Sequence, residues 1–183
     1  ESGMIKASHV LVSTKSSTKQ IARTYGVMGA TVSEVAAQAS VVILAVKPQK
    51  AATILDSVEF RAGQTVVSVM AGTQSSSLYR YAPAAHIIRV MPNVGCRVGR
   101  GATVGFAKST VPVDITRYVQ SLFESVGVFT WLDHEELFHP ATALVGSVPA
   151  FIFVAIKALV EAAVAGGLSP GAARELAIAT VEG

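Results

Sequence analysis

Residues 1–133 are predicted to form a doubly wound α/β domain, and residues 134–183 an all-helical one. Three observations predict this. Residues 41–46 (Val-Val-Ile-Leu-Ala-Val) are an apolar, mostly β-branched run with no polar alternation, stopped by Lys47 and Pro48. Such a run marks a central strand of a parallel sheet, covered by helices on both faces. The same unit of apolar run, turn and helix recurs after Gln64 and after His86, the rhythm of an α/β domain. Beyond Leu132 no strand signal returns and only helical patterns remain, which puts the boundary near Asp133.

Residues 9–13 (His-Val-Leu-Val-Ser) read as a short strand, followed by a Ser/Thr/Lys loop and a helix over about 18–25 closed by Gly26. Ser33 is the expected cap of a second helix running to Gln38, with Glu34 at its positive end. After the 41–46 strand, Pro48 suits a first helical turn, and Ala51, Ile54 and Leu55 continue it. A strand over 64–69 breaks at Ala71-Gly72, and Ser75 is the expected cap of a helix ending before Pro83. Residues 86–90 form the next strand and lead into Met91-Pro92-Asn93. Right-handed crossovers bring successive strand ends to one side, so Lys47, Gly72 and Asn93 are expected on a single edge, where ligands of open α/β sheets collect. Strands over 102–107 and 128–132 flank a helix over 114–125, with Ile115, Val119 and Leu122 on one face.

Residues 149–165 are apolar enough to raise a membrane span, but Lys157 and Glu161 interrupt them and leave an unbroken run far short of the ~20 residues a span needs. A helix greasy on most sides is buried on most sides, and the expected cover is a second copy of the chain. Gly166-Gly167 ends this helix and Ser169-Pro170 opens another.

Composition narrows the function classes. Hydrophobic residues make up 51% of the chain and charged ones only 15%, an excess that needs burying. The net charge of +3 comes from 15 basic and 12 acidic residues scattered without a Lys/Arg run, so nucleic-acid binding has no footprint. A single cysteine, Cys96, excludes an intrachain disulfide and fits a reducing compartment. Glu1-Ser2-Gly3 opens without the basic and apolar regions of a signal peptide, and the expected location is the cytoplasm. The first residues read like a helix end and its exit loop, which predicts a segment upstream.

Some apparent motifs carry nothing. Gly95, Gly99, Gly101 and Gly105 lie between strands and open no helix, so they read as turns and not as a dinucleotide fingerprint. His134, Glu135, Glu136 and His139 lack metal-ligand spacing and read as a solvated first turn; no metal is expected. Cys96 reads as a small filler. The end of the 9–13 strand is more informative. If a first strand and glycine loop lie upstream, this end reads the cofactor ribose, where NAD asks for an acidic residue. Ser13, Thr14, Lys15, Ser16 and Ser17 stand there instead, leaving room and donors for a 2′-phosphate with Lys15 or Lys19 as counter-charge. A plain polar surface loop is the other reading; the cofactor preference implied by the first is NADPH.

In order along the chain come Leu44-Ala45-Val46-Lys47-Pro48-Gln49, Ser68-Val69-Met70-Ala71-Gly72, Arg89-Val90-Met91-Pro92-Asn93, Gly99-Arg100-Gly101-Ala102-Thr103 and Thr142-Ala143-Leu144-Val145-Gly146-Ser147-Val148-Pro149-Ala150-Phe151. Together these resemble the pyrroline-5-carboxylate reductases over nearly the whole chain. The resemblance implies NADPH-dependent reduction of the cyclic imine Δ1-pyrroline-5-carboxylate to L-proline, the last step of proline biosynthesis. It implies a Rossmann-like NADP-binding domain over 1–133, N-terminally incomplete, followed over 134–183 by a helical dimerisation and substrate domain, C-terminally incomplete. It also implies a homodimer, or a larger homo-oligomer, joined through residues 149–165. By the same resemblance Ala45, Val46, Lys47, Pro48, Met70, Ala71 and Gly72 line the cofactor, Asn93 lies near its nicotinamide end, and Glu135, Thr142 and Ser147 approach the substrate. The family's glycine loop is expected before this chain and its carboxylate-gripping Pro-Gly-Gly loop after it. Val145, Val148 and Val32 depart from the usual Ser, Gly and Asn.

Hydride addition to a protonated imine needs little acid–base help, so a shortage of obvious catalytic side chains is expected; orientation is what the protein must supply. Gly146-Ser147, placed before a helix, are candidate donors for the substrate carboxylate, with Ser147 as a plain helix cap the other reading. Two other functions compete. One is a catalytically incomplete paralogue or fragment acting as a dimerisation or regulatory partner. The other is a hydroxyacid-type dehydrogenase, which relies on a lysine and an asparagine along its long helix; Lys157 is present, but no asparagine follows it.

Overall fold

The computed structural model describes residues 4–183; the reading of Glu1, Ser2 and Gly3 as a helix exit lies outside them. The main sheet has five strands in the order β3-β4-β5-β6-β7: β3 (Val41–Leu44), β4 (Thr65–Ser68), β5 (His86–Pro92), β6 (Gly101–Ala107) and β7 (Gly127–Trp131). A separate two-stranded parallel sheet pairs β1 (Leu11–Val12) with β2 (Met28–Gly29). The helix α1 (Thr18–Tyr25), closed by left-handed Gly26, links β1 to β2, and α2 (Val32–Gln38) leads from β2 to β3.

Among the described residues the 41–46 run stands at the edge of the five-stranded sheet and not at its centre. Its strand ends at Leu44: Val42 and Leu44 are buried, whereas Ile43 is 50% exposed. An apolar run reports burial but not the number of strand neighbours, and the strand covered on both faces is β4, where Val66 and Val67 are essentially inaccessible. A second departure is β6, which runs antiparallel to β5. The link between them holds only a short 3-10 turn (Val94–Val98), too little chain for a parallel crossover, which needs a dozen or more residues.

Two caps also sit elsewhere than expected. Thr31, not Ser33, caps α2, in a reciprocal box: its hydroxyl accepts the Glu34 N–H, and the Glu34 carboxylate accepts the Thr31 N–H at 2.7 Å. Those bonds hold the Glu34 carboxyl below its ordinary range. Ser75 is the first residue of α4 (Ser75–Tyr79) rather than its cap, and Gln74 precedes it without a side-chain bond. Pro48 does open α3 (Pro48–Leu55) at its first turn.

Side-chain alternation sorts the core into layers. On one face Val42, Leu44, Val66 and Ile87 pack with Ala51 and Leu55 of α3 and Leu78 of α4. On the other, Val67, Ile88 and Val90 pack with Val119 of α5 (Val113–Glu124) and with Phe129 and Trp131. A third cluster joins the sheet to the helical part: Val104, Met91 and Phe106 against Phe138 and Val145. Met91 pairs with Val104 and Arg89 with Phe106, so this contact lies on the α3/α4 face.

The helical part runs without a break from α6 (Phe138–Thr142) through a π turn (Ala143–Ser147) into α7 (Val148–Ala165), and Ser169 caps α8 (Pro170–Glu182). Ser147 therefore does not stand before a helix; it lies inside one. Pro149 lacks the N–H that would reach back to Val145, and its ring crowds that carbonyl. The chain accommodates this by widening one turn rather than by restarting. With the leading 3-10 turn the helical stretch spans Glu135–Ala165, 31 residues, long and apolar enough to cross a membrane by length and composition alone, with Lys157 and Glu161 interrupting its apolar run as expected. None of its most apolar window is buried within the chain.

Candidate functional site

Strands β3, β4 and β5 are parallel and in register, with Leu44 beside Ser68 and Ser68 beside Arg89. Their continuations therefore emerge at one edge: Ala45 to Pro48, Met70 to Gly72, and Asn93. Ala45, Lys47, Pro48, Ala71 and Gly72 are exposed there, and Val46 is half-buried against the core. The Met70 side chain is buried in that core, so Met70 offers the edge its backbone. Gly72 turns with φ of 70°, and an added Cβ would meet nothing within 4 Å; the left-handed turn requires glycine, and the space in front of it is open.

Asn93 organises this edge. Its Oδ1 accepts the N–H groups of Gly95 and Ala102, each at 3.0 Å, which ties the end of β5 to the start of β6. Gly95 and Gly99 form the turn between β5 and β6, as their context predicts, whereas Gly101 and Gly105 are not turns: they lie within β6, where the neighbouring Cys96, Phe129 and Trp131 leave no room for a Cβ. Cys96 is partly buried with Sγ 3.8 Å from Thr103 Oγ1.

Ser13, Thr14 and Lys15 follow β1, and among the described residues no strand pairing joins that sheet to β3. The Thr14 hydroxyl accepts the Ser17 N–H, and the Thr18 hydroxyl donates to the Thr14 carbonyl, so Thr14 is engaged in starting α1. Lys15 is exposed and Ser13 half-buried.

Glu135 is not part of a solvated turn. Its Oε1 accepts from Arg89 Nη1 at 2.6 Å and from the Ser75 N–H at 2.7 Å. Burial pushes the Glu135 carboxyl up, but the bonds from Ser75 and Arg89 outweigh it and hold the group below its ordinary range. Arg89 is buried, with Phe138 stacked 4.2 Å from its guanidinium carbon. Glu135 thus joins the middle of β5, the start of α4 and the entry to the helical part. Nearby Tyr79 is pushed up chiefly by burial, and the Glu135 charge adds to this. Thr142 is half-buried at the end of α6, and Gly146 approaches Met91 so closely that a Cβ would stand 3.2 Å from its methyl. The π turn therefore lies against the end of β5, while Ser147 is exposed.

Sequence reasoning gave Arg89, Ser75 and Phe138 no role in the site. The signal was available for Arg89: a charge within the apolar strand His-Ile-Ile-Arg-Val-Met must be buried with a partner.

Comparison with known proteins matches this arrangement domain by domain. Residues 135–183 match the family described as pyrroline-5-carboxylate reductase dimerisation, and residues 1–72 the family described as NADP oxidoreductase, coenzyme F420-dependent. The pyrroline-5-carboxylate reductase of Arabidopsis thaliana is 39% identical over 153 residues, covering 82% of this chain and 55% of that protein. That of Haemophilus influenzae is 34% identical over 145 residues, covering 77% and 53%. The solved reductase of Coxiella burnetii superposes with a TM-score of 0.82 at 31% identity, over 94% of this chain and 66% of that one.

The chain belongs to the pyrroline-5-carboxylate reductase family. It spans about half the length of the curated relatives it matches. Its architecture is an α/β NAD(P)-binding, Rossmann-like domain followed by the family's helical dimerisation domain, and the family is an NADP-binding one. The apolar stretch Glu135–Ala165 falls within the dimerisation match.

Proposed function

We propose that the protein reduces Δ1-pyrroline-5-carboxylate to L-proline with NADPH, in the cytoplasm, as a homodimer or larger homo-oligomer. The observation that carries this reading is the meeting of the two domains: Glu135, in the helical domain, bonds directly to β5 and α4 at the sheet edge where a dinucleotide would lie.

The chain's residues fit that cofactor. The open backbone at Gly72, the exposed turn at Ala71 and the start of α3 behind Lys47 and Pro48 offer close approach and unpaired N–H groups. Ala45, Val46 and Met70 would add backbone contacts, and Ser13, Thr14 and Lys15 would face a ribose phosphate. When bound, NADPH supplies the hydride. The chain's own residues do the rest by positioning. Asn93 fixes the edge beside the nicotinamide, the ionised Glu135 faces a cationic imine nitrogen, and Thr142 and Ser147 line the ring and its carboxylate. The self-association is supported by α7, whose Phe151 and Phe153 are 71% and 61% exposed in the single chain.

The test is NADPH oxidation by the natural gene product with and without pyrroline-5-carboxylate. Oxidation that depends on the imine is expected. A soluble, folded protein that binds NADPH yet turns over no imine overturns the proposal. Imaging of a tagged protein tests the cytoplasmic assignment.

A further inference from the structure

We infer that Arg89 is a positioning residue for imine reduction: it clamps one oxygen of Glu135 so that the other is presented, ionised, to the substrate. The inference rests on the reductase reading and concerns a residue which that reading leaves unused.

Arg89 sits in the middle of the sheet, where Ile87 and Val90 are 1% exposed and Arg89 itself is 6% exposed. Burying a guanidinium there costs several kcal/mol before its partner is counted, and an ion pair in such a place is weak as a source of stability. An apolar residue of similar volume would serve the core as well or better, so stability alone does not account for the charge.

The contacts of Arg89 are specific. Nη1 meets Oε1 of Glu135, and the guanidinium plane lies over Phe138, three residues further on. Arg89 thus holds two points of the same turn at the entry to the helical domain. The Ser75 N–H converges on the same Oε1, so two donors fix one oxygen. Among the described residues no hydrogen bond is made by Oε2, and the Glu135 side chain keeps 22% of its surface exposed. One oxygen anchored and one free is the geometry of an oriented acceptor.

The location makes the orientation consequential. Arg89 on β5 lies four residues before Asn93, which follows that strand, and Ser75, the first residue of α4, follows Gly72 by three. Glu135 is therefore held by the two segments that shape the cofactor edge. A carboxylate fixed there favours the protonated imine, which is the electrophilic form. Hydride then adds to the ring carbon, the C=N π electrons pass to nitrogen, and nitrogen keeps the proton it already carries. Glu135 neither gains nor loses a proton in that step. Its oxygen must be ionised and correctly aimed, and Arg89 secures both.

The test compares wild type with Arg89→Met, Arg89→Lys and Glu135→Gln. Three readouts serve: kcat/KM for pyrroline-5-carboxylate across pH, NADPH affinity, and the titration of Glu135 followed by carbon-13 labelling of glutamate. Arg89→Met is expected to lower kcat/KM about 100-fold. It should also move the acid limb of the profile and the Glu135 titration to higher pH, with NADPH affinity changed little. Arg89→Lys, with a single charged donor in place of a planar fork, should recover about 10-fold of that loss. Glu135→Gln should match Arg89→Met in kcat/KM and abolish the acid limb. If Arg89→Met fails to fold, the Lys and Gln variants decide alone. Wild-type turnover with an unshifted Glu135 titration, or with the pH profile unchanged in Arg89→Lys, overturns this inference and leaves the reductase reading intact. A wild-type enzyme that turns over no imine overturns both.

Discussion

Asn93 offers a direct test of how the cofactor edge is built, because its two ends have separable roles. Its Oδ1 accepts from the half-buried Gly95 and Ala102 N–H groups at 3.0 Å each, and among the described residues its amide nitrogen has no partner. Asn93→Ala removes the one oxygen that accepts both bonds and leaves two backbone donors partly out of water. Each such loss costs about 1 kcal/mol at the lower end of the usual range, appropriate to half-buried groups, so the variant should be destabilised by about 2 kcal/mol. For a chain of this size that is a fall of roughly 4–8 °C in Tm. Asn93→Asp keeps an oxygen in the same place and should melt within about 2 °C of wild type, while its carboxylate can no longer donate to a ligand. If the amide nitrogen serves the nicotinamide end, Asn93→Asp should weaken NADPH binding about 10-fold, the loss of one hydrogen bond of about 1.4 kcal/mol. Thermal unfolding and NADPH fluorescence titration read the two effects separately. An Asn93→Ala variant as stable as wild type refutes the role of the turn; an Asn93→Asp variant that binds NADPH normally confines Asn93 to the turn.

Other perturbations follow from the same geometry. Glu135→Ala leaves the buried Arg89 charge unpaired and should cost on the order of 3–5 kcal/mol, more than Arg89→Met, which removes the charge; paired denaturant melts check the order. Because the Glu135 carboxyl lies below its ordinary range when folded, its contribution is complete above the unfolded carboxyl range and fades as pH falls through and below it. The Tm gap between wild type and Glu135→Ala should therefore narrow as pH drops from about 6 toward about 3. At Gly127, φ is 151° and an added Cβ would overlap the backbone N and O of Gly101, which no side-chain rotation relieves. Gly127→Ala should cost about 4 kcal/mol in strain and overpacking, on the order of 10 °C in Tm. Phe153→Asp on the exposed face of α7 should shift the protein toward monomer in analytical ultracentrifugation. Lys157 is 75% exposed and, among the described residues, paired only with Glu161 at 3.5 Å, so Lys157→Met should leave imine reduction nearly unchanged; abolished turnover would favour the hydroxyacid dehydrogenase mechanism instead.

What could be read from the sequence was what neighbouring residues decide. Gly26 closing α1, Pro48 opening α3, Ser169 capping α8 and the change to helices after Trp131 all depend on backbone preferences within one turn, and all appear where expected. The common edge of Lys47, Gly72 and Asn93 was also legible, because parallel strands joined by helices bring their ends together whatever their order. Order itself was not legible. The run at Val41 has the composition of a central strand and, among the described residues, stands at the edge, and β6 turns antiparallel because the link before it is short. Gly146-Ser147 read as preceding a helix; the helix already under way in front of them can be recognised only once Phe138 and Val145 are seen packed on β5 and β6.

The candidate site divides along the same line. The cofactor side is made of strand ends, which topology assembles from local signals. The proposed substrate side rests on a contact between Arg89 and Glu135, 46 residues apart, with Ser75 a further 14 residues from Arg89 on the other side. Nothing near Glu135 in the sequence distinguishes it from Glu136, yet one is fixed by two donors and the other is exposed. A domain that only needed to dock on the sheet would do so through Phe138 and Val145, which already bury an apolar contact there. The added buried charge does something apolar packing cannot: it fixes the rotation of the entry turn about its own axis, and with it the direction in which a single carboxylate oxygen faces the cofactor edge.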